Sequence, residues 1–328
     1  MAQTFSKANY YFYVMEKRQL GKSDLWVSPL AFGGNVFGWT VNEKTSFELL
    51  DGFLSAGFNL VDTADVYSRW ASGIGGESET IIGSWMKKRG NRKDLIIATK
   101  VGKDMGNGKI GLSKKYILNA VNDSLKRLQT DYIDLYQSHD DDAKTPLEET
   151  LDAYQHLIKE GKVRYIGASN YTAARLQQAL ETSSKYNLPR YETLQPHYNL
   201  VERNLFEGDL ENVCVTNSIS VIPYYSLAAG FLTGKYRSEN DSSKSIRGKG
   251  ASKYLNEKGF KVLKALDEVS ARHRTKPTSV ALAWLMTRPT ISAPIASATS
   301  AEQLKDLLQS VNLILDASDL ELLNTASV

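Results

Sequence analysis

Along this chain, short apolar runs alternate with longer stretches in which apolar residues return every three or four positions. A run of four to six bounded by turn signals reads as a strand buried on both faces, and the longer recurrence as an amphipathic helix. After Met15, the segment KRQLGKSDLWVSPL sets a turn between two strand-like pieces, which predicts a small hairpin. Leu30-Ala31-Phe32 then runs into a glycine-rich turn, and residues 43–56 carry apolar positions at helical spacing. Further strands are predicted at Asn59–Thr63, Leu95–Thr99, Ile133–Tyr136, Val163–Ala168, Thr193–Gln195, Ser220–Tyr224 and Ile291–Ile295. Helices are predicted over 77–89, 113–128 and 146–160, the last ending at Gly161, and another starts from Thr172, a capping side chain.

Eight strand–helix units result, mostly spaced about 30 residues apart. Right-handed crossovers repeated in this way build either a closed barrel or an open doubly wound sheet. The open sheet would gain support from G-x-G-x-x-G after the first strand, and Gly33-Gly34-Asn35-Val36-Phe37-Gly38 does not fit it. The expected fold is α/β, a (β/α)8 TIM barrel with a short N-terminal β-hairpin. Residues 237–253, rich in Ser, Lys and Gly, are too polar for core and read as a long loop after strand seven. No stretch has the character of a domain linker, so residues 15–328 are expected to form one domain. Residues 1–14, with the aromatic cluster Tyr10-Tyr11-Phe12-Tyr13, read as a tail, and Met15 is the more natural start.

Composition narrows the class further. A net charge of +3 over 328 residues makes no large cationic field, so a nucleic-acid partner is not implied. The run Lys87-Lys88-Arg89 ends a predicted helix, where positive charge suits the dipole. Cys214 is the single cysteine, which excludes an internal disulfide and points to a reducing compartment such as the cytoplasm. Between Val213 and Val215 it reads as a packing residue. No stretch approaches the roughly 18 apolar residues of a membrane span.

Candidate chemistry lies at the strand ends. Asp62, Tyr67, Lys100 and His139 each stand at or just after a predicted strand, and a parallel barrel gathers those ends on one face. A phenol is a poor acid near neutrality, with a reference pKa of about 10. A neighbouring ammonium would lower that value, and a carboxylate would hold the ammonium in place. Tyr67 then reads as proton donor, Lys100 as its tuner, Asp62 as the lysine's partner, and His139 as a group that positions a carbonyl. None of these can supply hydride, so a reduction would require a cofactor. Asp140-Asp141-Asp142 reads as a solvated loop, since contiguous acids cannot all point at one ion, and no metal is expected.

These residues carry a resemblance. The stretches Asp62-Thr63-Ala64-Asp65-Val66-Tyr67, Ala98-Thr99-Lys100, His139, Gly161–Asn170 and Gly230–Tyr236 are ordered and spaced as in the aldo-keto reductases, and the similarity covers nearly all of the chain from Met15. The resemblance implies an NADPH-dependent barrel enzyme reducing aldehydes or ketones to alcohols. It places Ser169, Asn170 and Gln195 on the nicotinamide carboxamide and Tyr224 against the ring. Tyr225 and Ser226 depart from the usual Ser-Pro, but amides of Ser226, Leu227 and Ala228 could still meet the pyrophosphate, with Lys235 adding a cation. The adenosine end falls at Ser297, Thr299 and Gln303, where Thr299 replaces a frequent Arg and Leu307 a common Asn. Without that Arg, Arg247 is the candidate cation for a 2′-phosphate, and NADPH is favoured with NADH possible. Phe37, Trp39, Trp70 and His197 are expected to wall a pocket for a small-molecule carbonyl substrate. The fold is shared with voltage-gated potassium-channel β subunits, which act as channel partners and typically carry Asn where this chain has His139. The oligomeric state is not legible.

Overall fold

The computed structural model describes residues 15–328. The aromatic tail expected over 1–14 lies outside the described residues. A hairpin, β1 (Arg18–Gln19) and β2 (Trp26–Val27), comes first, paired antiparallel. Eight parallel strands follow: β3 (Ala31–Gly33), β4 (Leu60–Asp62), β5 (Ile96–Val101), β6 (Ile133–Ser138), β7 (Val163–Ser169), β8 (Tyr191–Gln195), β9 (Ser220–Val221) and β10 (Ile295–Ala296). They run in sequence order, with β10 beside β3. Closure on the other side comes from irregular chain ahead of β10. Val221 N–H donates to Thr290 O at 2.9 Å, and Ser292 N–H donates back to Val221 O at 2.9 Å. The eighth strand is thus shorter than its apolar run suggested, because Pro294 interrupts the run and removes a donor.

Strands β5 and β6 are buried over their whole length, which is why they read as continuous apolar runs instead of alternating ones. Alternation still decides which way each side chain points. Leu60, Ala98 and Leu135 pack together inside the barrel with Ala31, Ile222 and Ala293. Val61, Ile97 and Tyr136 face the surrounding helices. Asp62, Lys100 and Gln137 share the inward parity, one step nearer the strand ends.

The helices form where the spacing predicts them, over Glu43–Ser55, Glu77–Arg89, Lys114–Leu128 and Leu147–Lys159. Thr172 caps the helix Ala173–Tyr186 by accepting from Arg175 N–H. Gly161 takes φ +72°, the left-handed turn that ends the preceding helix. The long segment after β9 is not bare loop. It carries helical turns at Glu239–Lys244, Gly248–Ala251 and Ser252–Tyr254, too short to show a period in the sequence. Cys214 is fully buried, and burial pushes its thiol up to about 12, so it is unreactive packing. Among the described residues no helix is long and apolar enough to cross a membrane.

Candidate active site

The carboxyl ends of the strands open into one cleft of about 920 Å³, a volume suited to a cofactor-sized ligand. At its floor the inward-facing Lys100 is fully buried. Its Nζ donates to Asp62 Oδ2 at 2.7 Å, to Thr63 O at 2.7 Å and to the Tyr67 hydroxyl at 2.9 Å. All three protons of the ammonium are thereby engaged, which fixes its position. Asp62 Oδ1 accepts from Gln195 Nε2 at 2.9 Å, so the carboxylate is held from both sides.

Electrostatics sharpen the roles. Burial pushes the Tyr67 phenol well above its ordinary value, and the Asp62 carboxylate pushes it further. In the open cleft the phenol therefore keeps its proton. That is the form a general acid needs. Burial also lowers Lys100, with Asp62 opposing the effect. His139 is driven well below the usual imidazole range by burial, then by Lys100 and Lys103, so it is neutral at physiological pH. Its ring lies 6.0 Å from that of Tyr67, and its Nδ1 has no partner among the described residues. The His139 ring lines the cleft, where a ligand beside Tyr67 would meet it.

Ser169, Asn170, Gln195, Tyr224, Tyr225, Ser226 and Leu227 all line the cleft, as do Lys235, Arg247, Ser297, Thr299 and Gln303. Ala228 does not: it is buried, and its N–H donates to Tyr225 O at 2.7 Å. Asn170, at φ +58°, donates from Nδ2 to His139 O at 3.0 Å and to Asp140 Oδ1 at 2.6 Å, and accepts from the Tyr224 hydroxyl at 2.8 Å. These bonds set the amide's orientation beside the His139 backbone. Gly33 shows how tight this wall is, because a Cβ there would sit 2.6 Å from Ser297 Oγ.

Of the expected pocket walls, only Trp70 faces the cleft. Phe37 is completely buried and stacks on Phe32 at 5.4 Å, since the glycine-rich turn directs it into the core. Trp39 stands behind Trp70, edge-on at 5.5 Å. His197 lies behind Tyr224, stacked at 5.4 Å. Residues that the sequence did not single out also line the cleft, among them Lys103, Lys276 and Asp306. Lys103 stands three residues past Lys100, a spacing that carries a signal once β5 is placed. The three aspartates diverge: Asp140 meets Lys103 at 3.4 Å, Asp141 pairs with Arg175 at 2.8 Å, and Asp142 accepts from Leu112 N–H.

A lysine, a carboxylate and a phenol joined by hydrogen bonds, with a neutral imidazole alongside, can deliver a proton to a polarised oxygen. The residues along the rest of the cleft fit a dinucleotide: an aromatic face at Tyr224, an amide at Gln195, and cations at Lys235, Arg247 and Lys276.

The profile of the Aldo/keto reductase family matches residues 29–327. The chain is 34% identical to the uncharacterized oxidoreductase YrpG of Bacillus subtilis (strain 168), over 94% of this chain and 95% of the relative. It is 34% identical to the protein tas of Escherichia coli (strain K12), over 91% and 94%. It is also 31% identical to a probable voltage-gated potassium channel subunit beta of Oryza sativa subsp. japonica, over 92% of each.

Proposed function

We propose that this chain, which belongs to the aldo/keto reductase family, is an NADPH-dependent oxidoreductase that reduces an aldehyde or ketone to an alcohol, with Tyr67 as general acid. The observation that carries the reading is the Tyr67 hydroxyl 2.9 Å from an ammonium that is itself 2.7 Å from a buried carboxylate. The bound nicotinamide supplies the hydride that no side chain here can. His139, neutral, donates to the carbonyl oxygen and orients it toward Tyr67. Tyr67 gives that oxygen its proton as negative charge develops. Lys100 stabilises the resulting phenolate, and Asp62 keeps Lys100 from moving. Tyr224 presents a flat face for the ring, and Gln195, held on Asp62 through its amide nitrogen, leaves its carbonyl oxygen to accept from a carboxamide.

A second reading is a cofactor-sensing partner subunit, since a relative of that name is 31% identical. His139 favours catalysis over it, because a side chain that can polarise a carbonyl stands beside the acid. Measuring NADPH oxidation across aldehydes, ketones, keto sugars and pyridoxal tests the choice. Turnover of any of these supports the enzyme; tight NADPH binding with no turnover across the whole set would favour the partner subunit.

A further inference from the structure

The cleft has two ends, and their charges differ. The reacting end holds Tyr67, His139 and Trp70, and the far wall holds Lys276, Thr299, Ser300, Glu302, Gln303 and Asp306. A dinucleotide with its ring against Tyr224 sends its adenosine to that far wall. Five cations line the cleft: Lys103, Lys235, Lys244, Arg247 and Lys276. Lys103 stands beside Asp140, next to the backbone of His139 through Asn170. Lys244 pairs with Asp241 at 2.7 Å. Arg247, which the sequence marked for a 2′-phosphate, lines the same cleft from the segment after β9.

Lys276 is the cleft cation that bonds to the helix of the far wall. Its Nζ bonds to Asp306 Oδ2 at 2.9 Å and to Glu302 Oε1 at 3.0 Å, carboxylates one turn apart on the helix Ala301–Gln309. The two partners are unequal. The Asp306 side chain is 15% exposed and anchors the lysine, whereas that of Glu302 is 79% exposed. An exposed pair of the second kind holds only weakly. A phosphate dianion forms stronger charge-assisted bonds and can displace it.

Building on the reading of the cleft as a dinucleotide site, we infer that Lys276 recognises the 2′-phosphate of NADPH and that Glu302 is its built-in competitor, holding the lysine when that phosphate is lacking. NADPH must turn Glu302 away and tolerate its charge nearby. NADH carries a 2′-hydroxyl and leaves the Lys276–Glu302 pair undisturbed. The chain therefore discriminates between the two cofactors less than a free lysine would.

Binding by the intact protein, followed by quenching of tryptophan fluorescence, tests this without turnover. Kd is measured for NADPH, NADH and 2′,5′-ADP with the parent, Glu302→Gln and Lys276→Met. Glu302→Gln should tighten NADPH and 2′,5′-ADP about fivefold. Lys276→Met should weaken both about tenfold or more, and both variants should leave NADH within about twofold. Both sites are at the surface, and circular dichroism checks that the variants fold. If Lys276→Met weakens NADPH and NADH alike, or neither, or if Glu302→Gln leaves NADPH unchanged, the inference is overturned while the dinucleotide reading stands. If the parent binds neither dinucleotide, the reading itself fails and the inference with it.

Discussion

Tyr67 is a phenol that burial keeps protonated and that an ammonium 2.9 Å away is ready to stabilise once the proton leaves. Replacing Tyr67 with Phe removes the acid but keeps the ring against Trp70 and the fold around it. The expected outcome is a fall in kcat of about 10²–10⁴, the usual contribution of a positioned acid, with the NADPH Kd within about twofold. Steady-state rates and a fluorescence titration on the same sample check both halves. A second residue makes an opposite prediction about stability. Asp65 is buried with Oδ1 unpartnered, and burial, then Glu79, raises its carboxyl to about 8. Its unfolded value is about 3.9, so between about pH 4 and 8 the folded state holds a proton that the unfolded state has lost. Stability contributed by that proton is complete at low pH and declines as pH rises through the window. Asp65→Asn removes the penalty, so its unfolding free energy in urea titrations should exceed the parent's by a margin that widens from pH 5 to pH 8, by about 1.4 kcal/mol per unit at most. A margin that narrows instead would mean that Asp65 is ionised in the fold. The tetrad was legible because its members close apolar runs. The state of Asp65 was not, since it depends on Glu79, which reaches it only through the fold.

The helices Glu77–Arg89 and Lys114–Leu128 carry the outward halves of the same strands, and their packing fixes the level of the site. Thr99, next to Lys100 and pointing the other way, donates to Glu79 Oε1 at 2.5 Å, and Arg127 holds Glu79 Oε2 at 2.7 Å. Glu79 is completely buried, so this brace ties β5 to both helices through one carboxylate. Gly83 permits the approach: a Cβ there would lie 2.2 Å from Arg127 O and 2.6 Å from Leu128 C, both backbone atoms. Gly83→Ala must push the two helices apart, and overpacking of this kind costs about 1–3 kcal/mol. Equilibrium urea unfolding should show a loss in that range. No loss would mean that the helices separate freely and that the brace alone sets their distance. The helices themselves could be read from apolar spacing and from caps such as Thr172, because those signals are local. The distance between them could not, since it rests on a glycine facing the backbone of a helix some 40 positions further along. The same locality explains the wrongly placed pocket wall. Phe37 follows a glycine-rich turn whose direction, into the core, is set by Phe32 beneath it.

Across the whole molecule, the two ends of the barrel divide stability from chemistry. The hairpin closes the amino end: Leu20, Leu25 and Val27 are buried against Leu60, Ile96, Leu135 and Ile222. Gly21 N–H donates to Ser220 Oγ at 2.8 Å, Lys22 N–H to Glu192 Oε2 at 2.7 Å, and Arg18 Nη1 to Ile291 O at 2.7 Å. These contacts reach β8, β9 and the irregular chain that completes the ring, so the hairpin pins the least regular part of the closure. In a parallel barrel the amino face carries stability and the carboxyl face carries the reaction. Leu25→Ala opens a cavity in this plug and should cost about 2–5 kcal/mol. The inward layer between Leu25 and the cleft is close-packed, and the Tyr67–Lys100–Asp62 bonds are made above it. The thermal midpoint should therefore fall by several degrees, while kcat and KM for whichever carbonyl proves reactive stay within about twofold at a temperature where the variant is folded. A matched fall in kcat would show that the plug positions Lys100 through the barrel interior, and the two faces would then be one mechanical unit.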